Sequence, residues 1–187
     1  MFSYLARPSC PTAELSSLSL VVGIAVAESL PVSTELRWPN DLVVAGGKVA
    51  GILVELVTPA TEPPFAIIGI GINANLTRDE LPPTDRLPAT SLLVEGGVEI
   101  DRIAMLESLA ERLDAALALF DSEGLPAFLA RYAALDGLVG HALTLRLPDS
   151  EIAGTAAGID HTGCLVLTLA DGSTQNFAAG EVERVLA

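Results

Sequence analysis

The stretch of residues 36–56 restricts the fold of this chain more than any other, because its pattern is strand, tight turn, strand. Two apolar runs, 42–44 and 49–56, flank the glycine pair 46–47. Glycine is favoured in two-residue hairpin loops because the backbone there needs positive φ. We therefore predict a β-hairpin that places Lys48 at its mouth.

Lys48 is the only lysine among ten basic residues, the other nine being arginine. Lysine presents a compact point charge, and arginine does not replace it well where a single cation must contact a phosphate or a carboxylate. The polar pair Asn40 and Asp41 lies near it in the predicted hairpin. From its chemistry alone, Lys48 is explained equally well as a surface lysine after a turn or as the cation of a binding site.

Composition and charge exclude several classes of protein. The formal net charge of −14 opposes binding to a nucleic-acid backbone or to an anionic membrane surface, since both need clustered Lys and Arg. Half of the residues are apolar, which is enough for a sizeable core in one or two domains. Cys10 and Cys164 are far apart and predict neither a disulfide framework nor a metal site. The first residues lack the pattern of a signal peptide, so we expect a cytoplasmic protein.

The first half of the chain is expected to build a sheet with one long helix. Residues 2–7 have the pattern of a strand and residues 14–30 that of a helix. The continuous apolar run 65–72 predicts a strand buried on both faces. It delivers Gly71 and Asn73 to the sheet end that carries the hairpin mouth. Glycine there either permits close approach of a ligand or simply packs, and the asparagine is either a ligand contact or a turn residue.

The second half begins with a loop and two helices. Loops as long as residues 75–88 are usually functional or mobile. Residues 90–91 supply an N-cap for the segment that follows. Asp101 and Gly124 mark the start and the stop of the clearest helix, and a shorter helix is expected over 126–135. To both helices we assign core packing and no chemistry.

The pattern changes to short strands after residues 136–137, which predicts a domain of residues 1–136 and a second domain of residues 137–187. Several short strands separated by turns predict a small β-barrel. The predicted strands are 142–147, 151–159, 165–169, 175–177 and 182–185. His141 and His161 are isolated beside turns or strand starts, so we interpret them as structural or solvated residues and not as catalytic bases.

Several segments, taken together, resemble a known family. They are residues 37–41 (Arg-Trp-Pro-Asn-Asp) with 48–55 (Lys-Val-Ala-Gly-Ile-Leu-Val-Glu), residues 68–75 (Ile-Gly-Ile-Gly-Ile-Asn-Ala-Asn) and residues 89–92 (Ala-Thr-Ser-Leu). Their order, spacing and residue types resemble the signature of the biotin protein ligases. The resemblance implies an α+β fold: a mixed sheet with helices, like the core shared with class II aminoacyl-tRNA synthetases, followed by a C-terminal SH3-like β-barrel.

The resemblance also implies a two-step reaction that uses ATP, Mg²⁺ and biotin. The biotin carboxylate first attacks the α-phosphate of ATP to give biotinyl-adenylate and pyrophosphate. A lysine of a biotin carboxyl-carrier protein domain then takes up the biotin as an amide. Both steps develop negative charge on oxygen, which a fixed cation and oriented donors stabilise. A homodimer is a further expected partner, because an incomplete sheet exposes an edge.

The resemblance gives catalytic roles to two residues. Lys48 is the cation placed against the biotin carboxyl group and the adenylate phosphate. Asp41 orients the acceptor amine or helps to remove its proton. The alternative for Asp41 is that it only stabilises the hairpin.

Binding roles follow from the same resemblance. Asn40 holds the phosphate or ribose region, while Gly51 and Gly71 line the biotin pocket through their backbone. Asn73 and the loop after it face the adenosine. Trp38 either forms a wall of the pocket or belongs to the core, and a buried indole needs a partner for its N–H. No residue is implied as a protein ligand of a metal ion.

The chain departs from the family on its N-terminal side. The upstream Ser/Thr-rich motif, a biotin-contacting glutamine and the Gly-Arg-Gly-Arg loop do not occur in it, and the closing basic residue is matched only approximately, by Arg184. We therefore expect weak biotin binding and weak or no adenylate formation by this chain alone. Two alternatives follow. One is a non-catalytic interaction module, and the other is a lipoate-type acyl transferase, which the Trp-Pro-Asn-Asp motif disfavours.

Overall fold

The computed structural model describes residues 1–61, 63–84 and 87–186, and these form two five-stranded sheets with helices. The first sheet has the strand order β1-β5-β4-β3-β2. Its strands are β1 (Phe2–Ala6), β2 (Glu35–Arg37), β3 (Asp41–Val44), β4 (Gly47–Val57) and β5 (Phe65–Ile72). The strands that the sequence predicts before residue 75 are therefore present.

The helices lie close to their predicted positions. They are α1 (Leu18–Ser29), α2 (Leu92–Gly96), α3 (Arg102–Glu123) and α4 (Leu129–Leu135). Short 3₁₀ turns lie at Thr12–Ser17, Arg78–Glu80 and Leu125–Phe128. Helix α3 begins where the sequence predicts, because the Asp101 carboxylate accepts two N–H groups of the first turn, and it ends at Gly124 with positive φ. Within the described residues no helix has both the length and the apolar character needed to cross a membrane.

Helix α1 is the centre of the core. Nine of its twelve residues are buried, because it packs on β2, β3 and β4 and also on α3 and α4. A helix that is covered on several sides can be apolar all round, which explains why its sequence has almost no polar face. Gly23 brings α1 close to the sheet, since a Cβ at that position would lie 3.0 Å from Cδ2 of Leu36.

The sequence predicts a mixed sheet, but every strand ladder of the first sheet in the described residues is antiparallel. The physical reason is the length of the connections. Hairpins join β2 to β3, β3 to β4 and β4 to β5, and they are too short for the crossover that a parallel pair requires. Parallel pairing within residues 1–61, 63–84 and 87–186 is limited to two isolated bridges, Leu36–Asp136 and Lys48–Ala89. The α+β class is confirmed, and the direction of the strands is corrected.

One face of the first sheet packs on α1, and the opposite face is open. In β5 the residues Ala66, Ile68 and Ile70 are buried, whereas Gly69 and Gly71 are partly exposed. The prediction that this strand is buried on both faces is therefore wrong, because the helices shield only one of them. We call the unshielded surface the open face, which includes Gly51, Leu53, Gly69 and Gly71.

The turn of the central hairpin lies one residue earlier than the sequence suggests. Ala45 and Gly46 occupy it with φ values of 48° and 79°, and Gly47 is already the first residue of β4. Positive φ at both loop residues suits the right-handed twist of the two strands. Gly47 is small for a different reason, since a Cβ there would lie 2.8 Å from Cβ of Thr90. The close approach lets the chain around Thr90 pack against the hairpin.

The second sheet follows the helices. Its strands are β6 (Ala142–Arg146), β7 (Glu151–Ile159), β8 (Leu165–Thr168), β9 (Thr174–Phe177) and β10 (Glu181–Leu186), in the antiparallel order β10-β6-β7-β8-β9. The predicted all-β C-terminal region is confirmed. Within the described residues β9 and β10 form the two ends of the sheet, and no ladder joins them into a closed barrel. The domain boundary at residues 136–137 stays a prediction.

Hydrogen bonds from Trp38 and Arg37 join the C-terminal half of the chain to the first sheet. The indole Nε1 of Trp38 donates to the carbonyl oxygen of Gly163 at 3.1 Å, and Nη2 of Arg37 donates to the carbonyl oxygen of Val182 at 3.1 Å. Trp38 is 3% exposed, which places its ring in the core with the partner that its donor needs. Gly163 packs on α1, since a Cβ there would lie 2.9 Å from Cδ1 of Leu20.

We expect Asp136→Asn to stabilise the protein at neutral pH. Asp136 follows α4, and its carboxylate accepts the N–H groups of Leu138 and Val139 at 2.8 and 3.3 Å. Burial raises the pKa of Asp136, and these two hydrogen bonds only partly oppose the rise. The fold therefore favours the neutral carboxyl, so the stability that it contributes is complete below the unfolded pKa and is lost as pH rises through the folded pKa. Asparagine keeps the acceptor and removes the charge.

The expected gain in the free energy of unfolding at pH 7 is at most about 1 kcal/mol, because Asp136 is only partly buried. Urea unfolding between pH 3 and pH 8 measures it, and the gain should vanish at the acid end. Asp160→Asn is the matched control with the opposite sign. Burial raises the pKa of Asp160, but hydrogen bonds from Thr162, Cys164 and Asn176 outweigh it and lower the pKa. That variant should lose stability at pH 7, and equal effects of the two variants would contradict the prediction.

Candidate active site

Four residues from four strands form a row across the open face. Arg37 of β2 pairs with Asp41 of β3, Asp41 pairs with Gly51 of β4, and Gly51 pairs with Gly71 of β5. Directly paired residues of neighbouring strands point to the same face of a sheet. The row therefore places an arginine, an aspartate and two glycines side by side, with about 4.8 Å between neighbouring strands.

Lys48 lies above this row. Its Nζ is 2.5 Å from Oδ1 of Asp41, and the two side chains are 42% and 25% exposed. A Cβ at Gly51 would lie 3.2 Å from both Nζ and Cε of Lys48 and 3.5 Å from Oδ1 of Asp41. The ion pair therefore rests on the backbone of Gly51, and the space that it fills is available because that residue has no side chain.

A β-bulge puts Lys48 on the open face. In a regular strand, residues 48, 50 and 52 share a face, and Ala50 and Ile52 are buried against the helices. The pairing of β3 with β4 shifts after Leu42, which pairs with Ala50, so that Val43 pairs with Lys48. One extra residue in β4 reverses the alternation of side chains between the two sheet faces, so that Lys48 points to the open face. Without this shift the ammonium group would point into the apolar core.

The segments that the sequence analysis singled out meet at Lys48. The Lys48 N–H donates to the carbonyl oxygen of Pro88 at 2.7 Å, and the N–H of Thr90 donates to the carbonyl oxygen of Lys48 at 2.9 Å. The N–H of Asn73 donates to the carbonyl oxygen of Val49 at 2.8 Å, and its Nδ2 donates to that of Thr90 at 2.9 Å. The backbone on both sides of the lysine is thus fixed by the segment 88–90 and by Asn73 at the end of β5, which restricts the position of its side chain.

The two asparagines of the predicted site hold backbone groups. Nδ2 of Asn40 donates to the carbonyl oxygen of Ile52 at 2.7 Å, and the N–H of Ile52 donates to the carbonyl oxygen of Asn40 at 3.0 Å. Nδ2 of Asn73 donates to the carbonyl oxygen of Thr90, and the carbonyl oxygen of Asn73 accepts the N–H of Leu92 at 2.9 Å. The predicted contacts of Asn40 with a phosphate or ribose, and of Asn73 with an adenosine, stay predictions.

A cavity of about 370 Å³ opens beside the ion pair, between the two sheets. The first half of the chain contributes Arg37, Asp41 and Lys48 to its walls, and the second sheet contributes Gly180, the acidic residue Glu181 and Val182 at the start of β10. Neither Arg37 nor β10 has a role among the predictions made from the sequence. Arg37 could have been predicted as a cavity residue, because pairing of β2 with β3 puts it on the same sheet face as Asp41. The contact with β10 could not, because it depends on tertiary packing.

Most of the chain matches two known protein families. Residues 2–134 match the Biotin/lipoate A/B protein ligase family, and residues 140–185 match the Biotin protein ligase C terminal domain. The chain belongs to the biotin/lipoate A/B protein ligase family. The first match contains the first sheet, α1 to α3 and α4 up to residue 134, and the second contains the strands of the second sheet up to residue 185.

Two relatives from the same family show how far the similarity extends. The bifunctional ligase/repressor BirA of Escherichia coli is 38% identical over 169 residues, which are 88% of this chain and 52% of that protein. The biotin--[acetyl-CoA-carboxylase] ligase of Mycobacterium tuberculosis is 34% identical over 173 residues, which are 88% of this chain and 61% of that protein. The chain therefore spans about half the length of the first relative and about three fifths of the second.

Solved structures of biotin protein ligases share the fold. A crystal structure of the enzyme from Aquifex aeolicus has a TM-score of 0.84 at 26% identity, covering 98% of this chain and 81% of that one. The same enzyme in complex with biotin and ATP has a TM-score of 0.78 at 28% identity, covering 97% and 76%. These similarities confirm the resemblance and the fold class that the sequence predicts.

Proposed function

We propose that this chain is the ligase core of a biotin protein ligase, which activates biotin with MgATP and transfers it to a lysine of a carboxyl-carrier domain. One observation carries the proposal. The only lysine of the chain is ion-paired with Asp41 above Gly51, where the motif segments meet. The relative named as a biotin ligase, and the complex of a similar enzyme with biotin and ATP, support the choice of substrates.

In the first step an oxygen of the biotin carboxylate forms a bond to the α-phosphorus of ATP. The bond from that phosphorus to the bridging oxygen breaks, and pyrophosphate leaves with the electron pair. The carboxylate and the phosphate are both anionic, so a cation between them is needed. Lys48 supplies that cation, and a side chain that is 42% exposed can turn towards a ligand without disrupting the core.

In the second step the neutral amine of the acceptor lysine attacks the acyl carbon of biotinyl-adenylate. The bond to the AMP oxygen breaks, an amide forms, and the amine loses a proton. Asp41 is occupied by Lys48 while the site is free. When Lys48 turns to the phosphate, the Asp41 carboxylate becomes available to accept the hydrogen bond of the amine and to help remove its proton. The ion pair therefore keeps both Lys48 and Asp41 in the site until the ligands bind.

The glycines of the open face provide room for the biotin ring system. Gly51 and Gly71 are directly paired, and a Cβ at Gly71 would meet only the carbonyl oxygen of Gly51, at 4.0 Å. Backbone at this position can approach a flat ligand closely. Asn40 directly precedes β3, and Asn73 directly follows β5. We propose that Asn40 contacts the phosphate or ribose and that Asn73 contacts the adenosine.

The proposed macromolecular partner is a carrier domain and not a nucleic acid. The net charge of −14 opposes contact with a phosphate backbone. The E. coli relative is named a ligase and repressor, but this chain matches about half of it. Mg²⁺ enters the proposal bound to the substrate ATP. In the described residues no group of three or more His, Cys, Asp or Glu side chains is placed to hold a metal ion. A homodimer and a cytoplasmic location are proposed as well.

Biotin transfer tests the proposal directly. The chain is incubated with biotin, MgATP and a purified carrier domain, and transfer is detected with streptavidin. A parallel reaction starts from synthetic biotinyl-5′-adenylate, so that the second step is measured without the first, and a reaction without the chain corrects for spontaneous labelling. Transfer above this background in either reaction supports the proposal. No transfer in both contradicts it and favours a non-catalytic interaction module.

The ion pair above Gly51 gives a prediction that needs no turnover. Gly51→Ala would place a methyl group 3.2 Å from Nζ of Lys48, so we expect the lysine to be displaced from Asp41 while the fold persists. Because the chain has one lysine, labelling with ¹³C-lysine gives a single side-chain Cε signal. That signal should move in the same direction in Gly51→Ala and in Asp41→Asn. Turnover of Gly51→Ala should fall by roughly tenfold, as expected when one oriented charge is misplaced.

Gly69→Ala is the matched control for this prediction. It adds the same methyl group to the same open face, where the nearest atom is the carbonyl oxygen of Leu53 at 3.7 Å, an ordinary contact distance. The Lys48 signal and the unfolding temperature should both remain at their wild-type values. A Gly51→Ala spectrum that matches the wild type would show that the ion pair does not depend on the missing side chain.

A further inference from the structure

Tyr132 in α4 has a buried hydroxyl group that lacks a hydrogen-bond partner. The residue is 1% exposed, and across residues 1–61, 63–84 and 87–186 its Oη is the one buried side-chain nitrogen or oxygen atom without a partner. Removing a hydroxyl group from water is unfavourable unless a new hydrogen bond replaces the lost ones, and most buried polar groups are paired with protein or with bound water. The hydroxyl group of Tyr132 therefore needs an acceptor.

The nearby carboxylate of Asp136 does not supply that acceptor. Burial, and to a smaller extent the charge of Asp136, raises the pKa of the Tyr132 hydroxyl group, which consequently keeps its proton at neutral pH. The Asp136 carboxylate instead accepts the N–H groups of Leu138 and Val139, and no hydrogen bond joins it to the tyrosine. Tyr132 is thus a buried donor whose acceptor must come from outside the chain.

A small cavity adjoins Tyr132 between α1, α4 and the turn that connects β2 to β3. Its volume is about 10 Å³. A cavity needs roughly 10–15 Å³ to hold one water molecule, so this one has room for about one and for nothing larger. Helix α1 contributes Ser19 and Gly23, which are one helical turn apart, and the first sheet contributes residues 36–41.

Two of the residues that line this cavity carry further polar groups for a water molecule. The Ser19 hydroxyl group donates to the carbonyl oxygen of Pro39 at 3.4 Å, which is long for an O–H···O bond. Both oxygens can accept another hydrogen bond. A water molecule placed between them and Tyr132 accepts from the tyrosine and donates to the two oxygens. It then makes three hydrogen bonds, the number that is typical of buried water.

The turn that this water would support leads directly into Asp41, the first residue of β3. The side chains of Trp38 and Asn40 bind backbone carbonyl groups of other segments and so fix both ends of the turn. Pro39 in the middle has no N–H, so its carbonyl oxygen is the backbone group through which it can be held. The long bond from Ser19 holds it weakly, and a bridging water would hold it more firmly.

We propose that one water molecule binds in this cavity to Tyr132, Ser19 and Pro39, and that Tyr132 is thereby a positioning residue for Asp41. The tyrosine acts through the water and the turn, and it does not touch the substrate. The water site stands on the geometry alone. The positioning role rests on the proposed ligase function, in which the Asp41 carboxylate acts on the acceptor amine.

The first test asks whether the water is bound. A crystal structure of the wild-type chain that resolves ordered water should show one within hydrogen-bond distance of Oη of Tyr132, and a structure of Tyr132→Phe should lack it. The unfolding temperature of Tyr132→Phe should fall by roughly 2–4 °C, the effect of one hydrogen bond in a chain of 187 residues. No water at Oη, or an unfolding temperature that does not fall, overturns the proposal, because removing an unpaired buried hydroxyl group is not destabilising.

The second test asks whether Tyr132 and Ser19 share the water. Two residues joined through one water molecule are energetically coupled. The effect of Tyr132→Phe on the unfolding temperature should therefore be smaller in a Ser19→Ala background than in the wild type. The better helix propensity of alanine is present on both sides of this comparison and cancels. Equal effects in the two backgrounds contradict the bridge.

The third test measures positioning, with Tyr4→Phe as the matched control. The chain has two tyrosines, and the hydroxyl group of Tyr4 donates to Asp114 of α3 instead of facing this cavity. In Tyr132→Phe the ¹³Cε signal of Lys48 should move in the same direction as in Asp41→Asn, because the ion pair is displaced. Transfer from biotinyl-5′-adenylate should fall by roughly three- to tenfold in kcat, with little change in KM. Tyr4→Phe should leave the Lys48 signal and the transfer rate unchanged.

The outcomes separate this proposal from the ligase function. A Lys48 signal and a transfer rate that are both unchanged in Tyr132→Phe overturn the positioning role, and the ligase function then stands. If the water is bound and Tyr132 and Ser19 are coupled but neither biotin reaction proceeds with the wild type, the water site stands and the ligase function is wrong.

Discussion

Replacing Lys48 with alanine is expected to lower biotin transfer by about a hundredfold or more, because removing one preorganised donor to a developing charge has effects of this size. The free energy of unfolding should change little, since the Lys48 side chain is 42% exposed and its partner Asp41 can be solvated. The loss should be larger when the reaction starts from biotin and MgATP than when it starts from biotinyl-5′-adenylate. Only the first step requires two anions to meet.

Lys48→Arg is the informative companion variant. It keeps the positive charge, but the planar guanidinium is larger than the ammonium group that now fits 3.2 Å above the Cβ position of Gly51. We expect it to recover only a small part of the activity. Asp41→Asn should affect transfer from the adenylate more than adenylate formation, because Asp41 is assigned to the acceptor amine. Lys48→Ala that keeps more than about a tenth of the wild-type rate would contradict the assigned role.

The single lysine provides a readout even if turnover by this chain is low. The ¹³Cε signal of Lys48 should shift when biotin and MgATP are added together, since the ammonium group is expected to leave Asp41 for the ligand. The shift should be absent with adenosine, which has no phosphate. If the Lys48 signal does not shift when biotin and MgATP are added, and if no biotin is transferred from the adenylate, the catalytic role of Lys48 is contradicted.

Much of this architecture follows from local sequence signals. The hairpin, the strand over residues 65–72, and the limits of α3 at Asp101 and Gly124 all depend on neighbouring residues, and all are present. The hairpin brings the backbone segments of Lys48 and Asp41 together, as the sequence predicts. These features could be predicted because turn, cap and periodicity signals act within a few residues.

Other features depend on register or on distant contacts and could not be predicted. Simple alternation would place Lys48 with Ala50 on the core face, and only the bulge after Leu42 moves it to the open face. The exposure of Gly71 depends on which face the helices cover. The cavity wall formed by β10 depends on how the second sheet packs on the first half of the chain, and no local sequence pattern predicts that packing.

Gly163 lies where the second sheet contacts α1 and Trp38, and Gly163→Ala is expected to destabilise the protein by about 2–5 kcal/mol. Two causes add. The residue has φ of 88°, which costs a side chain about 1–2 kcal/mol, and overpacking typically costs about 1–3 kcal/mol more. The new Cβ would lie 2.9 Å from Leu20, 3.2 Å from Cβ of Ser17 and 3.3 Å from Leu125. For a chain of 187 residues the unfolding temperature should fall by roughly 4–20 °C, at about 2–4 °C per kcal/mol.

Gly172→Ala separates the two causes. Gly172 also lies in a turn of the second sheet with positive φ, of 81°, but a Cβ there would have nothing within 4 Å. It should show the backbone strain alone, so its destabilisation should be no more than about 2 kcal/mol. Thermal unfolding of the two variants under the same conditions measures the difference, which we assign to the contact between Gly163 and α1. Equal destabilisation would mean that the crowding at Gly163 is relieved without cost.

Trp38 can show whether Gly163→Ala disturbs the contact around Gly163. It is the only tryptophan of the chain, and its indole N–H donates to the carbonyl oxygen of Gly163. In Gly163→Ala the exchange of this N–H with solvent should accelerate and the fluorescence should shift to the red, since the buried ring gains access to water. Gly172→Ala should leave both signals unchanged. A lowered unfolding temperature of Gly163→Ala with both Trp38 signals unchanged would show that the hydrogen bond between Trp38 and Gly163 survives the crowding.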